Sequence, residues 1–262
     1  MQLREAQWRG LLGLHNMPAK LPKMHARFGE SVCWARQQHV LDYDLLRMPE
    51  LQKENVTKIV QRFSATSPYA GYTQGNLYIV YGVGLVFGDE QSVFWAFART
   101  VNRLHVYGPS TPFGTRVLPT WVLDKAEKAV PVGRDLWDLT LRLRWIYIMF
   151  GQTFTTRDGM LAIWDYCLRG EANLLSTCAA LLHRGICQEQ HNRASSLERA
   201  SLILNQKITS LQQTAELISQ AQLYLPWCGK SAISTRQRQS PAVQAAQWVD
   251  HGAIAVHPPY TL

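Results

Sequence analysis

Apolar residues recur at helical spacing along most of this chain of 262 residues, and this periodicity constrains the fold more than any other feature. Val56, Ile59, Val60 and Phe63 fall on one face of a helix predicted over 51–65. Strict alternation of apolar and polar residues, which would indicate half-buried strands, is scarce. The pattern therefore predicts an all-α fold with one large multi-helix domain.

The same periodicity predicts further helices, separated by loops that carry proline, glycine and small polar residues. These helices span 4–14, 29–47, 90–106, 120–129, 134–150, 156–169, 171–184 and 193–224. Residues 76–88 are apolar and short, and they fit either a buried helix or a strand. Beyond Pro226 the composition shifts to Ser, Gln, Ala and Arg, so we expect the domain to cover 1–226 and a flexible tail to cover 227–262.

The amino-acid composition indicates the size of the core and the kinds of partner that the chain could bind. A hydrophobic content of 47% and nine tryptophans predict a large core. The net charge of +8 suits an acidic partner such as nucleic acid, a membrane surface or an acidic protein, but the basic residues form no run. A diffuse, solvated excess of positive charge is the favoured interpretation.

Cysteine usage and the absence of a leader indicate a reduced, cytoplasmic setting. The five cysteines are odd in number and include no Cys-x-x-Cys pair, and residues 1–5 do not resemble a secretory signal. The longest apolar run, residues 77–87, is too short to span a bilayer.

Two short motifs carry side chains suited to chemistry on a phosphate group. In the first, Asp44 precedes Arg47 by three residues, and Pro49 predicts that the helix ends near Arg47. The second is the loop Tyr72-Thr73-Gln74-Gly75. Arginine presents a planar fork of donors, whereas glutamine both donates and accepts and so can orient a water molecule. Taken alone, each motif has an ordinary explanation, a surface ion pair or a plain turn.

Four segments, in this order along the chain, carry a resemblance to one known family. Residues 4–13 pair Arg4 with Trp8 and end in Leu-Leu-Gly. Leu41, Asp44 and Arg47 fill an aliphatic-x-x-Asp-x-x-Arg pattern.

The third and fourth segments complete the resemblance, which covers roughly residues 4–222. Tyr72, Gln74 and Gly75 fill a Tyr-x-Gln-Gly pattern. An Arg-Trp helix then leads through Phe154 to a Trp-Asp helix. The structural residues of this fourth segment are Arg144, Trp145, Trp164 and Asp165. Together the four segments resemble the TBC domain of Rab GTPase-activating proteins.

The resemblance implies a single TBC-like, all-α domain that stimulates GTP hydrolysis by a Rab-family small GTPase in vesicle trafficking. It implies that Arg47 and Gln74 are catalytic fingers that act in trans on the partner's GTP. Asp44 would hold Arg47, Gly75 would allow close backbone approach, and Tyr72 would pack the loop against the core. The partner would carry GTP and Mg²⁺, so no cofactor or metal of the chain's own and no nucleic-acid partner are expected.

Two alternatives stay open. One is a catalytically inactive TBC-like module that binds a Rab or a trafficking complex, because Met48 and Asn76 stand where the family usually carries Thr and Met. The other is a helical nucleic-acid or scaffold protein that uses the net positive charge. A peripheral endomembrane surface is a further candidate partner. A glycine turn for a nucleotide near Gly82 and a zinc site are disfavoured, because the spacing required for each is missing.

Overall fold

The structure is a computed structural model that describes residues 2–18, 20–21, 39, 41–46, 53–66, 75–103 and 118–237. Within these ranges the chain is almost entirely helical, and the only extended pairing is an isolated bridge between Phe154 and Ile208. The predicted all-α fold is confirmed.

The helices are, in chain order, α1 (Gln2–Leu12), α2 (Lys53–Thr66), α3 (Asn76–Gly84), α4 (Glu90–Arg103), α5 (Thr120–Ala129), α6 (Arg134–Leu141), α7 (Arg157–Cys167), α8 (Glu171–Gln188), α9 (Ser196–Leu204) and α10 (Leu211–Gln237). A 3₁₀ turn, Leu14–Asn16, follows α1, and a π-helical turn, Arg142–Ile146, follows α6. Residues 41–45 are also helical, whereas most of the helix predicted over 29–47 lies outside the described residues.

These helices pack as two groups. In the first group α2, α3 and α4 pack on one another, and α1 packs on α4. In the second group α8 and α10 run along each other, and α7 and α9 pack on α8. Helix α7 also reaches the first group, since its Trp164 stacks on Trp8 of α1 with ring centroids 6.0 Å apart.

Residues 76–88, for which the sequence left helix and strand open, form a helix up to Gly84. Most of α3 is buried, which explains why its sequence shows no amphipathic period.

The single helix predicted over 193–224 is wrong, because the chain leaves helical geometry between α9 and α10. Ile208 lies in this break, where its N–H donates to Thr153 O at 2.9 Å and its O accepts from Thr155 N–H at 3.0 Å. Ser210 Oγ then accepts from Gln213 N–H at 3.2 Å and begins α10. Serine favours such caps over helix interiors, and the periodicity of the flanking residues does not reveal this choice.

The helix predicted over 134–150 also ends early. Its backbone widens after Leu141 into the π-helical turn, and Phe150 N–H donates to Trp145 O at 2.7 Å. Met149 and Phe150 then adopt left-handed φ values of 46° and 60°. A π turn contains one residue more than an α-helical turn. The spacing of apolar residues therefore stays nearly periodic beyond Leu141, although the α-helix ends there.

The structure differs from the expected tail over residues 227–237, which continue α10. Proline removes one backbone donor from a helix interior, but side chains on both sides of Pro226 contact the rest of the protein. Tyr224 stacks on Trp121 at 5.8 Å, and Cys228 is fully buried. Residues 238–262 lie outside the described part of the chain.

The described cysteines are free thiols, and three of them, Cys167, Cys178 and Cys228, are buried. Burial raises the pKa of the Cys167 and Cys228 thiols to about 12, so both stay protonated and unreactive near neutral pH. Cys187 is exposed. None of the described helices is both long and apolar enough to cross a membrane.

A pair of glycines on α3 tests the packing of the core. A Cβ placed on Gly82 would lie 2.2 Å from Cη2 of Trp164, whereas a Cβ on Gly84 would meet nothing within 4 Å. We expect Gly82→Ala to lower the free energy of unfolding by about 1–3 kcal/mol, because the indole must move. Gly84→Ala is the matched control and should raise stability by up to about 1 kcal/mol. Urea unfolding measures both, and equal effects would contradict the packing described.

Candidate functional site

Several predicted site residues lie outside the described residues, namely Arg47, Tyr72 and Gln74. One sequence neighbour of Arg47 and one of Gln74 are described, whereas both neighbours of Tyr72 lie outside the described residues. Asp44 and Leu46 precede Arg47, and Gly75 follows Gln74. The geometry of these neighbours shows how the chain brings the two motifs together.

Asp44 lies in the helical segment 41–45 with its side chain buried, at 2% exposure. Leu41, one turn earlier on the same face, is fully buried and anchors the segment to the core. The carboxylate of Asp44 accepts a hydrogen bond from the backbone N–H of Gly75, with Oδ2 and N 2.9 Å apart. Such a bond to a carboxylate is stronger than one between neutral groups, so it links the two motifs firmly.

This partner of Asp44 was not predicted. The sequence suggested that Asp44 holds Arg47 one turn later, a contact that lies outside the described residues. No local pattern indicates a bond between residues 31 positions apart. In the structure Asp44 therefore binds the Tyr-x-Gln-Gly motif through Gly75.

Gly75 has two features that require glycine. Its φ is +95°, in the left-handed region that L side chains rarely adopt. A Cβ at this position would also lie 2.2 Å from Cγ2 of Ile148. The backbone at Gly75 therefore lies against Ile148 of the core, and the role expected of Gly75 at the site stays a prediction. No sequence signal singled out Ile148.

The contacts continue from Ile148 to the fourth motif. Met149, the next residue, accepts a hydrogen bond on its O from Trp164 Nε1 at 2.7 Å. Trp164 is fully buried, and its ring lies against Gly82 of α3. The fourth motif thus supports both the turn beneath Gly75 and the helix that follows it.

Asp165 connects the fourth motif to the first. Its Oδ1 accepts from Trp8 Nε1 at 2.6 Å, and its Oδ2 pairs with Arg4 Nη2 at 3.0 Å. We call Asp44, Gly75, Ile148, Met149, Trp164, Asp165, Trp8 and Arg4 the motif network. All four sequence motifs contribute to it, and it is continuous through the protein.

Two other residues of the fourth motif lie outside this network. Trp145 is fully buried, and its Nε1 donates to Leu204 O at 3.3 Å. Arg144 is exposed. Trp145 therefore packs the π-helical turn against α9, whereas Arg144 faces solvent.

Large apolar side chains are exposed beside Asp44. Tyr43 is 68% exposed and Leu46 is 76% exposed. Exposed aromatic and aliphatic groups of this kind are frequent at sites where another protein binds. Tyr43 lies on the same helical segment as Asp44, and Leu46 directly follows that segment and precedes Arg47 in the sequence.

A cleft of about 270 Å³ opens elsewhere, between α2, α3 and α4. Its lining includes Val56, Gly84 and Glu90, so it lies toward the end of α3 that is remote from Gly75. Within the described part of the chain, His, Cys, Asp and Glu side chains form no group of three or more that could hold a metal ion. The candidate site is the surface that exposes Tyr43 and Leu46 beside Asp44 of the motif network.

Asp44 offers a test of how the two motifs are joined. Asp44→Ala leaves the buried N–H of Gly75 without its carboxylate, so we expect the free energy of unfolding to fall by about 1–3 kcal/mol. Asp42, which is exposed two residues earlier, is the matched control. Asp42→Ala should change stability by less than about 0.5 kcal/mol. Chemical unfolding of both variants provides the measurement. An equal loss of unfolding free energy in both would show that the hydrogen bond between Asp44 and Gly75 does not stabilise the protein.

The sequence matches no family model, and no curated protein matches it. Solved structures do resemble the fold. The flagellar RabGAP TBC domain of Chlamydomonas superposes with a TM-score of 0.60 at 15% identity, over 84% of this chain and 79% of that chain. The Ypt/Rab-GAP domain of Gyp1p superposes with a TM-score of 0.55 at 16% identity, over 86% of this chain and 81% of that chain. The chain therefore has the fold of TBC domains, as its four motifs predicted.

Proposed function

We propose that this chain activates a Rab-family small GTPase by inserting Arg47 and Gln74 into the partner's nucleotide site. The observation that carries the proposal is the hydrogen bond from Gly75 N–H to Asp44 Oδ2. Arg47 follows Asp44 by three residues, and Gln74 directly precedes Gly75. The bond supports the idea that both side chains serve one site, because it joins the two backbone segments from which they extend.

The chemistry of GTP hydrolysis explains why these two side chains matter. The reaction needs neutralisation of the charge that grows on the phosphates and alignment of the attacking water. An arginine supplied by a partner protein is worth about 10³–10⁵ in rate, which corresponds to roughly 4–7 kcal/mol of barrier. Lysine replaces it poorly, because a point charge lacks the planar, two-pronged geometry of a guanidinium group.

Gln74 would position the water, since its amide can donate to one oxygen and accept from another. Such positioning depends on a well-fixed backbone. Gly75 supplies that support, because it contacts Asp44 on one side and Ile148 on the other.

The partner would bring GTP and its Mg²⁺, so the chain acts as an activator and needs no cofactor of its own. The exposed Tyr43 and Leu46 would contact the partner beside the nucleotide. An activator of this kind would work in vesicle trafficking, at the cytoplasmic surface of intracellular membranes.

A catalytically inactive module that binds the same GTPase is the alternative, and its motivation is the unusual residues Met48 and Asn76. Met48 lies outside the described residues, and the Asn76 side chain is fully buried. The change at Asn76 therefore lies in the core of the protein, and the measurement of GTP hydrolysis decides between the two candidates.

The decisive experiment measures phosphate release from a panel of GTP-loaded Rab-family proteins with and without the chain. We expect one or more of them to be stimulated, and Arg47→Ala or Gln74→Ala to reduce the stimulated rate by about 10²-fold or more. Arg47→Lys should recover little of the loss. Circular dichroism of each variant controls for folding. Binding without stimulation would establish the inactive alternative, and full activity of both alanine variants would refute the assignment of the two residues.

The exposed apolar pair gives a separate prediction. We expect Tyr43→Ala and Leu46→Ala to raise the KM for the GTP-loaded partner by about 10-fold with little change in kcat, because large apolar side chains that a partner covers supply binding energy without touching the reacting atoms. Leu197→Ala on α9 is the matched control, since Leu197 is likewise 65% exposed. An unchanged KM for the Tyr43 and Leu46 variants would exclude this surface from the interface.

A further inference from the structure

Three polar residues that none of the four motif patterns specifies connect the first turn of α3 to the second group of helices. Gln152 Nε2 donates to Tyr78 Oη at 2.6 Å, and Lys207 Nζ donates to Gln152 O at 2.5 Å. Tyr78 lies on α3, Gln152 follows the left-handed turn at Met149 and Phe150, and Lys207 lies between α9 and α10. They form a chain of hydrogen bonds across three separate parts of the sequence.

Tyr78 is coupled directly to Gly75. Its backbone N–H donates to Gly75 O at 2.9 Å, which closes the first turn of α3. Its side chain lies against Gly151, where a Cβ would come within 3.1 Å of Tyr78 Cβ. Backbone and ring therefore fix the position of this turn together.

The turn that carries Gln152 needs support of its own. Met149 and Phe150 both hold left-handed φ values, which L residues adopt only when their surroundings compel them. Trp164 donates a hydrogen bond to Met149 O from the core side, and Lys207 donates one to the backbone O of Gln152 from the solvent side. Lys207 is well placed for this, because Ile208 beside it exchanges backbone hydrogen bonds with Thr153 and Thr155.

We propose that Tyr78, Gln152 and Lys207 form a positioning relay that fixes Gly75 and thereby the loop that carries Gln74. The catalytic consequence rests on the proposed function. The three residues touch neither nucleotide nor water; they act through the backbone of Gly75. Without them Gly75 would be held less firmly, and Gln74, the residue before it, would align the water less often.

The variants Tyr78→Phe, Gln152→Met and Lys207→Met each remove one hydrogen-bonding group and keep most of the volume. Tyr166→Phe is a matched control, because Tyr166 Oη also makes a buried hydrogen bond, to Ser176 Oγ at 3.1 Å between α7 and α8. Lys58→Met controls for the loss of an exposed lysine, since Lys58 pairs with Glu54 at 2.6 Å on α2.

Amide hydrogen exchange of the free chain provides the first measurement. We expect the amides of residues 75 and 78 to exchange about 3- to 10-fold faster in the three relay variants, the effect of losing one hydrogen bond. Tyr78→Phe and Gln152→Met remove the same bond, so the double variant should be no worse than either single one. The two control variants should leave these amides unchanged. Unchanged exchange at both positions in the relay variants would overturn the proposal.

Stimulated GTP hydrolysis provides the second measurement. We expect the relay variants to lower kcat by about 3- to 10-fold while the KM for the GTP-loaded partner stays within about twofold. Lys207→Arg should restore kcat, because it keeps a donor for Gln152 O. Faster exchange with normal kcat would overturn the catalytic role of the relay. If the unmodified chain stimulates no GTPase, the proposed function and the catalytic role both fall, and hydrogen exchange still decides whether the relay holds the turn.

Discussion

The indole of Trp164 is the contact on which the rest of the structure depends. Its ring fills the space that Gly82 leaves on α3, its N–H binds Met149 O, and its face stacks on Trp8. These three neighbours come from α3, from the left-handed turn and from α1, which are far apart in the chain. One side chain therefore determines how the two groups of helices meet. A smaller residue would leave a cavity between them and a buried carbonyl without its donor.

The motif network shows how four short motifs of this chain, each weak alone, are connected in the structure. Arg4 and Trp8 act on Asp165, and Asp165 is adjacent to Trp164. Trp164 supports the turn that holds Ile148, and Ile148 contacts Gly75. Gly75 in turn binds Asp44. Residues of the first and fourth motifs, which look structural in the sequence, are thus connected to Asp44 and Gly75 of the second and third motifs. The candidate site therefore forms only when the whole domain folds.

The sequence predicted correctly those helices whose bounds depend on residues close together in the chain. The bounds of α5 agree with its predicted range, and α2 follows its apolar face closely, because packing and helical period coincide there. The breaks at Ile208 and after Leu141 were missed, since each depends on backbone hydrogen bonds to a distant segment or on a π turn. The candidate site could likewise be predicted only as far as it depends on residues close together in the chain. The sequence singled out Gly75 and Asp44, whereas the bond between them and the contact of Gly75 with Ile148 could be found only in three dimensions.

The contact between Gly75 and Ile148 restricts how this protein can vary over evolution. Two independent restrictions act on position 75, the space that Ile148 occupies and the left-handed backbone. A smaller residue at 148 could relieve the first restriction and leave the second in force. Compensating substitutions between these two positions should therefore be rare among homologues. Asparagine, which tolerates left-handed geometry better than most residues, would be the first replacement to appear, and it would need a reduced side chain at 148.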